Sequence, residues 1–430
     1  MVRCTHSALG TKAGDELVRI LQVNNSDTKG GAARVAYMLG RGLRDRGHAV
    51  EYLVKAKHAD EDWIVAADLP QPTGQTLQGR FIHRLGLNGL ALNSHFPRSL
   101  GQSYFEQFDL IHLHDVMGFS FNLTHLAWLS HLRPTVWTLH TMWPLTGGCL
   151  YSYDCDRWKH ACGTCPQFGK FPLLWLHRDG SRGIRAIKNW TYGRSRLYPV
   201  GVSEWISQVA REGILGHFDV NTILNPVDTD LFHPIDKAIA KQKLGIPSEA
   251  KTLMFSLAAN LLDKRKGVEV ILKALPQLQQ QGYFLIPLSI SSQSGEMARV
   301  FAQFPSLAPR HITDPAELNL RYNAADLLWH PSLADTSSLV TLEAFAAGTP
   351  AIASRVGGVR EIVTEGETGW FISPGDATAL AQRTDAFFAN AERQAIMSRQ
   401  ARQRAETVFS LPQFLDRYER WFTDLTTRPH

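Results

Sequence analysis

The chain has 430 residues, more than one hydrophobic core usually supports, so two domains are expected. Its 44% hydrophobic and 20% charged residues exclude a disordered chain. Residues 1 to 16 are polar and no run of about 18 apolar residues occurs, so neither a secretory signal nor a membrane span is expected. Those features place the chain in the reducing cytoplasm, where clustered cysteines serve metal binding or chemistry more often than disulfides. The net charge of +5 concentrates partly in "HRDGSRGIRAIKNWTYGRSR", where Arg182, Arg185 and Lys188 share one helical face. That face reads as a solvated surface, or as a rest for anionic lipid headgroups at the inner face of a membrane. No nucleic-acid motif accompanies the charge.

In chain order, "VRILQV" at 18 to 23 predicts a strand and "KGGAARVAYMLGRGLRDRGHAV" a glycine loop and helix. Val35, Leu39 and Leu43 repeat at helical spacing, and Gly47 supplies the stop. "VEYLV" predicts the next strand, completing a βαβ unit. "FDLIHLH", a helix near 121 to 131, and "PTVWTLH" continue the rhythm. A block holding four cysteines, the basic helix, the strand "LYPVGVS" and the helix "EWISQVAREG" follow. "TILNPVDTDLFHP" predicts a hinge. The rhythm then restarts with "TLMFSLAAN", the helix "GVEVILKALPQLQQQG", "YFLIPLSI", "PAELNLRYNAA", "DLLWHPS", "SLVTLEAFAAG", "TPAIAS", "GWFIS" and a helix from Asp376. Two doubly wound α/β domains facing each other would hold a ligand between the carboxyl ends of their strands. The expected boundaries are 1–222, with a cysteine-rich insertion at 147–166, then 223–408. A final helix within 409–430 is expected to pack back on the first domain.

The chemistry concentrates in "HPSLADTSSLVTLEAFAAGTPAIASRVGGVREIV". A strand ends near His330, and a helix starts around Ser338 with Ser337 as its expected cap. Free amides and the positive end of the helix dipole suit an anionic diphosphate. Glu343 can accept hydrogen bonds from a vicinal diol such as a ribose, and Asp335 from sugar hydroxyls. Read singly, Glu343 is a favourable first-turn acid and Asp335 a turn residue. Their spacing of eight favours a paired role.

"DTSSLVTLEAFAAGTPAIAS" resembles the E-x7-E signature of retaining family 4 glycosyltransferases of the GT-B fold, with Asp335 in place of the first Glu. The resemblance extends through the glycine loop, "NPVDTDLFHP", "DKRKGVEVILKAL", "AADLLWHPS" and "VGGVREIVTEGETGWFISPGD". It implies two Rossmann-like domains and a nucleoside-diphosphate sugar donor. It also implies Glu343 on the donor ribose, Asp335 on the donor sugar, and Lys266 on the leaving diphosphate, with no catalytic metal. His140 matches the family histidine that points across the gap at the donor. Gly30 and Gly31 would let the backbone approach the ligands. Arg265, Ser338, Leu339 and Val340 complete the implied donor set. The family pattern carries an Arg five positions before the Lys of Lys-Gly; here Leu261 stands there, beside Asn260, and Arg265 or Lys264 is expected to supply the cation.

"GGCLYSYDCDRWKHACGTCP" resembles a cysteine-rich insertion of glycosyltransferases from colanic-acid-type exopolysaccharide clusters. Read by spacing alone, Cys162-x2-Cys165 is a tight pair that tetrahedral zinc favours, and Cys149 and Cys155 would complete a structural shell. Reduced thiols or a labile disulfide are the other readings. The resemblance implies sugar transfer to a saccharide acceptor, expected to be lipid-linked, by a cytoplasmic protein peripheral to the membrane. A nucleotide-sugar epimerase of the same fold, or a nucleotide-sugar-binding protein weakened in catalysis, are the alternatives.

Overall fold

The computed structural model describes residues 17–67, 77–117, 120–170, 178–256, 264–288, 296–310 and 312–427. In the first half, β1 (Arg19–Ser26), β2 (Ala49–Ala56), β3 (Ile64–Ala66), β4 (Leu110–Leu113), β5 (Thr135–Leu139), β6 (Leu197–Gly201) and β7 (Asn221–Thr222) form one sheet. Its order is β3-β2-β1-β4-β5-β6-β7. In the second half, β8 (Lys251–Ser256), β9 (Tyr283–Leu288), β10 (Leu327–His330), β11 (Ala351–Ser354) and β12 (Gly369–Ile372) form another, in the order β12-β11-β10-β8-β9. Neighbouring strands run parallel in both sheets. Helices cover both faces, so β4, β5, β9, β10, β11 and β12 are buried along their whole length and are mostly apolar.

The helix Gly31–Asp45 buries Ala33, Val35, Ala36, Leu39, Gly40 and Leu43, the face its apolar spacing predicts. Helix Leu339–Ala346 differs: every residue from Thr341 on is buried, because it lies inside the second half rather than on its surface. Two expectations shift. The helix after Gly267 ends at Ala274, where Pro276 sits in a short 3-10 turn, and does not run on to Gly282. The cap of helix Leu339–Ala346 is Ser338, not Ser337: the Ser338 hydroxyl accepts the Thr341 N–H at 3.2 Å.

The chain crosses between the halves twice, side by side. Val227 donates its N–H to the Phe409 carbonyl at 2.7 Å, and Leu411 donates to the Val227 carbonyl at 3.0 Å. The final helix, Leu411–Thr427, lies on the first half. Leu415 packs against Gly42, where a Cβ would come within 2.5 Å of it. The Tyr418 hydroxyl meets Thr138 at 3.1 Å, and Arg46 reaches Asp416 at 2.7 Å.

Strand order fixes where a ligand fits. In the first sheet the winding reverses between β1 and β4; in the second, between β8 and β10. Ligands of doubly wound sheets bind at the carboxyl ends of strands at such reversals. Gly30 follows β1 and His114 follows β4. Lys266 follows β8 and Asp335 follows β10.

Candidate active site

The loop after β10 is held in place by close backbone packing. Gly267 has φ +70, and a Cβ there would lie 2.0 Å from the Pro331 carbonyl oxygen, so only glycine lets the turn Lys264–Lys266 press on this loop. The Leu333 N–H donates to the Arg265 carbonyl at 2.7 Å across that contact. On the other side a Cβ at Gly357 would meet the Asp335 carbonyl oxygen at 1.9 Å.

These contacts gather charge around Asp335. Lys266 Nζ stands 3.3 Å from Asp335 Oδ2, His330 Nε2 3.5 Å, and Arg265 Nη1 3.6 Å. Burial opposes a charged Asp335. Lys266, His330 and Arg265 outweigh it and hold the carboxyl far below the usual carboxylate range. Arg265 lies 5.0 Å from the centre of the Tyr151 ring, in the loop that carries the cysteines. Lys264, the other expected source of the cation, turns to Glu269 at 2.8 Å on the surface. Leu261 and Asn260 lie outside the described residues.

Glu343 is buried in the second turn of its helix, so a first-turn dipole role does not apply. Tyr322 donates its hydroxyl to Glu343 Oε2 at 2.7 Å. Glu343 Oε1 accepts from Arg34, which comes from the helix of the first half. That ion pair joins the halves. Leu339, at the start of the same helix, faces Gly31 across the gap: a Cβ on Gly31 would lie 3.8 Å from Leu339 Cδ1. Val340 is half-buried beside it, and Ser338 spends its hydroxyl on the cap. Gly30 adopts φ +98 with open space around it, a conformation L residues rarely take. Its carbonyl accepts the Arg34 N–H at 3.0 Å, starting the helix that delivers Arg34.

His140 follows β5, and its carbonyl accepts the Thr336 hydroxyl at 2.8 Å, one residue from Asp335. Its ring Nε2 lies 3.1 Å from His114 Nδ1. Burial pushes His140 down to about 3 and takes His112 and His114 well below their usual value, so all three imidazoles are neutral. A third contact crosses the gap: Glu361 accepts the N–H groups of Glu204 and Trp205, each at 2.7 Å, at the start of helix Glu204–Glu212.

Asp335, Lys266, Arg265 and Glu343 thus stand on one side of the gap, with His140, Gly30 and Gly31 on the other. Arg34, Tyr322 and His330 were not singled out in the sequence. Arg34 lies one turn beyond the glycine pair, a spacing that aims its side chain along the helix face toward the gap. Nothing in the sequence links it to Glu343.

The four cysteines occupy a separate recess, described below. The basic helix corrects an expectation. Arg185 is only 5% exposed and Lys188 is fully buried, so the face they share with exposed Arg182 is neither a solvated surface nor a lipid platform. Arg185 donates to the Trp158 carbonyl at 3.0 Å and Lys188 to that of Thr146 at 3.0 Å, drawing the helix onto the cysteine loop.

Comparison with known proteins gives this geometry its class. Residues 29–231 match the family model Glycosyltransferase Family 4, and residues 252–390 the model Glycosyl transferases group 1. Anabaena HepE in complex with UDP has the same fold, with a TM-score of 0.69 at 17% identity, over 95% of this chain and 100% of that one. The molecule is a two-domain GT-B structure. Each half of the chain thus matches a glycosyltransferase family model.

Among curated proteins, D-inositol 3-phosphate glycosyltransferase 2 of Catenulispora acidiphila is 32% identical over 39% of this chain and 43% of its own length. An uncharacterized glycosyltransferase of Methanocaldococcus jannaschii is 22% identical over 83% of this chain and 84% of its own. The chain spans about two fifths of the length of the first curated relatives it matches. Among the described residues, no helix is long and apolar enough to cross a membrane.

Proposed function

We propose that the protein transfers a sugar, with retention of configuration, from a nucleoside-diphosphate sugar to a saccharide acceptor. The observation that carries this reading is the cluster of Lys266, Arg265 and Asp335 beside buried Glu343, at the strand reversal of the second half. Glu343 would accept the ribose hydroxyls in exchange for Arg34, and Asp335 would take sugar hydroxyls. Lys266 and Arg265 would meet the charge that builds on the departing diphosphate. The bond from the anomeric carbon to phosphate oxygen breaks, and the bond to acceptor oxygen forms on the same face. The acceptor proton passes to the leaving phosphate oxygen, so no protein carboxylate is needed as base. The neutral His140 would donate or accept a hydrogen bond at the sugar without adding charge. HepE binds UDP and UDP-glucose on this fold, which supports a nucleotide-sugar donor.

The proposal extends to the acceptor. The resemblance of the cysteine block to exopolysaccharide enzymes favours a lipid-linked oligosaccharide in the assembly of a surface polysaccharide. Burial of Arg185 and Lys188 removes the basic face that would have rested on the membrane, so contact with lipid would have to run through the acceptor.

The test is incubation of the purified protein with UDP- and GDP-sugars, with and without lipid-linked oligosaccharides, read by mass spectrometry. Acceptor-dependent product from the native chain and none from Glu343→Ala supports the reading. Turnover of donor alone to an isomeric sugar nucleotide would make it an epimerase instead.

A further inference from the structure

Lys188 raises a physical problem. It is fully buried, with its ammonium 3.8 Å from the centre of the Trp143 ring and, among the described residues, bonded to the Trp143 and Thr146 carbonyls. Buried Arg185, one turn away, bonds the Trp158 carbonyl among the described residues. Among the described residues neither has a carboxylate partner. Two buried cations without an anion are costly, and such groups are retained where something negative stands beside them.

What stands beside them is sulfur. Cys149, Cys155, Cys162 and Cys165 line one narrow recess, together with Gly147, Trp158 and Ser181. All four are free thiols. Thr146, whose carbonyl holds Lys188, donates its hydroxyl to the Cys149 carbonyl at 2.7 Å, and Trp158, whose carbonyl holds Arg185, lines the recess. The Phe168 N–H donates to the Cys165 carbonyl at 3.1 Å, turning the chain tightly beside that thiol. Cys162, Gly163 and Thr164 all take positive φ, 51°, 93° and 48°. This tight turn is clamped by Arg157, which donates to the Gly163 carbonyl at 2.9 Å.

We propose that Cys149, Cys155, Cys162 and Cys165 bind one zinc ion in a closed tetrahedral shell whose charge is balanced by Lys188 and Arg185. Four thiols lose four protons, four zinc–sulfur bonds form, and the divalent ion leaves the site with two net negative charges. Lys188 and Arg185 supply two positive ones. Among the described residues, no group of three or more His, Cys, Asp or Glu side chains is arranged to hold an ion as it stands. Closing the shell therefore requires side-chain rotation, and a change of staggered rotamer carries a cysteine sulfur by about 3 Å, on the scale of such a recess. A closed four-sulfur shell has no open position, so the ion is a brace. It would fix the loop that runs from His140 to Tyr151, whose hydroxyl lies 3.4 Å from that of Thr336.

The experiment uses the untagged full chain. Elemental analysis is expected to find one zinc per chain, and chelator-stripped protein refilled with cobalt should show the thiolate-to-cobalt charge-transfer band of a four-sulfur site. Lys188→Met with Arg185→Met should weaken zinc binding about 10- to 100-fold in competition with a chelator, the range expected for lost outer-shell partners. Cys155→Ser should weaken it at least as much while keeping the native circular dichroism. Metal-free protein with four titratable thiols, or with disulfides by intact mass, overturns the proposal. So does a cobalt spectrum without the thiolate band, or unchanged zinc affinity in Cys155→Ser. None of these readouts depends on sugar transfer.

Discussion

The two walls of the gap meet the same space with opposite electrostatics. On the first-half wall, His112, His114 and His140 stack in series, and burial keeps each neutral. On the second-half wall, Lys266, Arg265, Asp335 and Glu343 are drawn into a small charged cluster. A neutral wall can read hydroxyls by hydrogen bonds without competing for charge, and a charged wall can hold a diphosphate as negative charge grows on it. One face of the gap thus suits the sugar and acceptor, the other the nucleotide and its leaving group. Arg34 is the exception, a first-half cation that reaches across to Glu343.

The strongest attempt to break this division is Glu343→Ala. It removes two hydrogen bonds to a charged acceptor, each worth about 1.5–3 kcal/mol, so kcat/KM should fall by about 10²–10⁴-fold. Steady-state kinetics at several donor concentrations measures this, and a fall under tenfold would take Glu343 out of the donor site. Lys266→Ala comes next, with an expected loss of about 10²–10³-fold, carried mostly in kcat because the charge it meets develops at bond cleavage. A loss confined to KM would mean that Lys266 only holds the ground-state donor.

Asp335→Asn probes the charged wall through stability. The variant leaves Lys266 and Arg265 facing a neutral amide, and loss of one partner of a buried pair costs about 3 kcal/mol. The sign follows from the lowered pKa. An acid whose folded pKa lies below its unfolded value, near 3.9, contributes stability that is full above about pH 5 and is lost as the pH falls below about 4. The gap in Tm between native protein and variant should therefore be widest at neutral pH and narrow on acidification. A gap that widens toward low pH contradicts the assignment. The neutral wall predicts a smaller effect. His140→Gln should cost about tenfold in rate, one neutral hydrogen bond. The native rate between about pH 5 and 8 should show no inflection that disappears in this variant, because His140 titrates near 3.

Much of this division can be read from sequence where function coincides with periodicity. His140 directly follows β5 and His330 ends β10, and Glu343 lies in a helix opened by a Ser/Thr-rich loop, so strand ends and helix starts mark the gap. Lys266 is signalled by the glycine after it, whose need for positive φ the structure explains. What escaped is long-range or two-sided. Arg34 and Glu343 are 309 residues apart, and no local spacing joins them. β3 and β7, of three and two residues, are too short to show a period. The spacing of Arg185 and Lys188 showed that they share a face but not which way it points. Charge argued for solvent, whereas the carbonyls of Trp158 and Thr146 hold both groups inside.

The smallest effect sharpens the comparison most, because it concerns the one residue that crosses it. Arg34 holds Glu343 Oε1 and Tyr322 holds Oε2, so both oxygens that a ribose diol would use are engaged. Tyr322 is fully buried and Arg34 is 39% exposed, so Arg34 is the partner that can yield. The strength of the pair is limited because the guanidinium keeps much of its water. If donor binding displaces it, Arg34→Gln should tighten the Kd for a nucleotide sugar by about three- to tenfold and leave kcat changed by less, since no charge that develops in the reaction is lost. Calorimetry of donor binding alone, set beside kcat, separates the possibilities. Affinity weakened more than tenfold would make Arg34 itself a ligand of the donor. The charged surface would then be shared by both halves, and closing them would complete the nucleotide site instead of merely covering it.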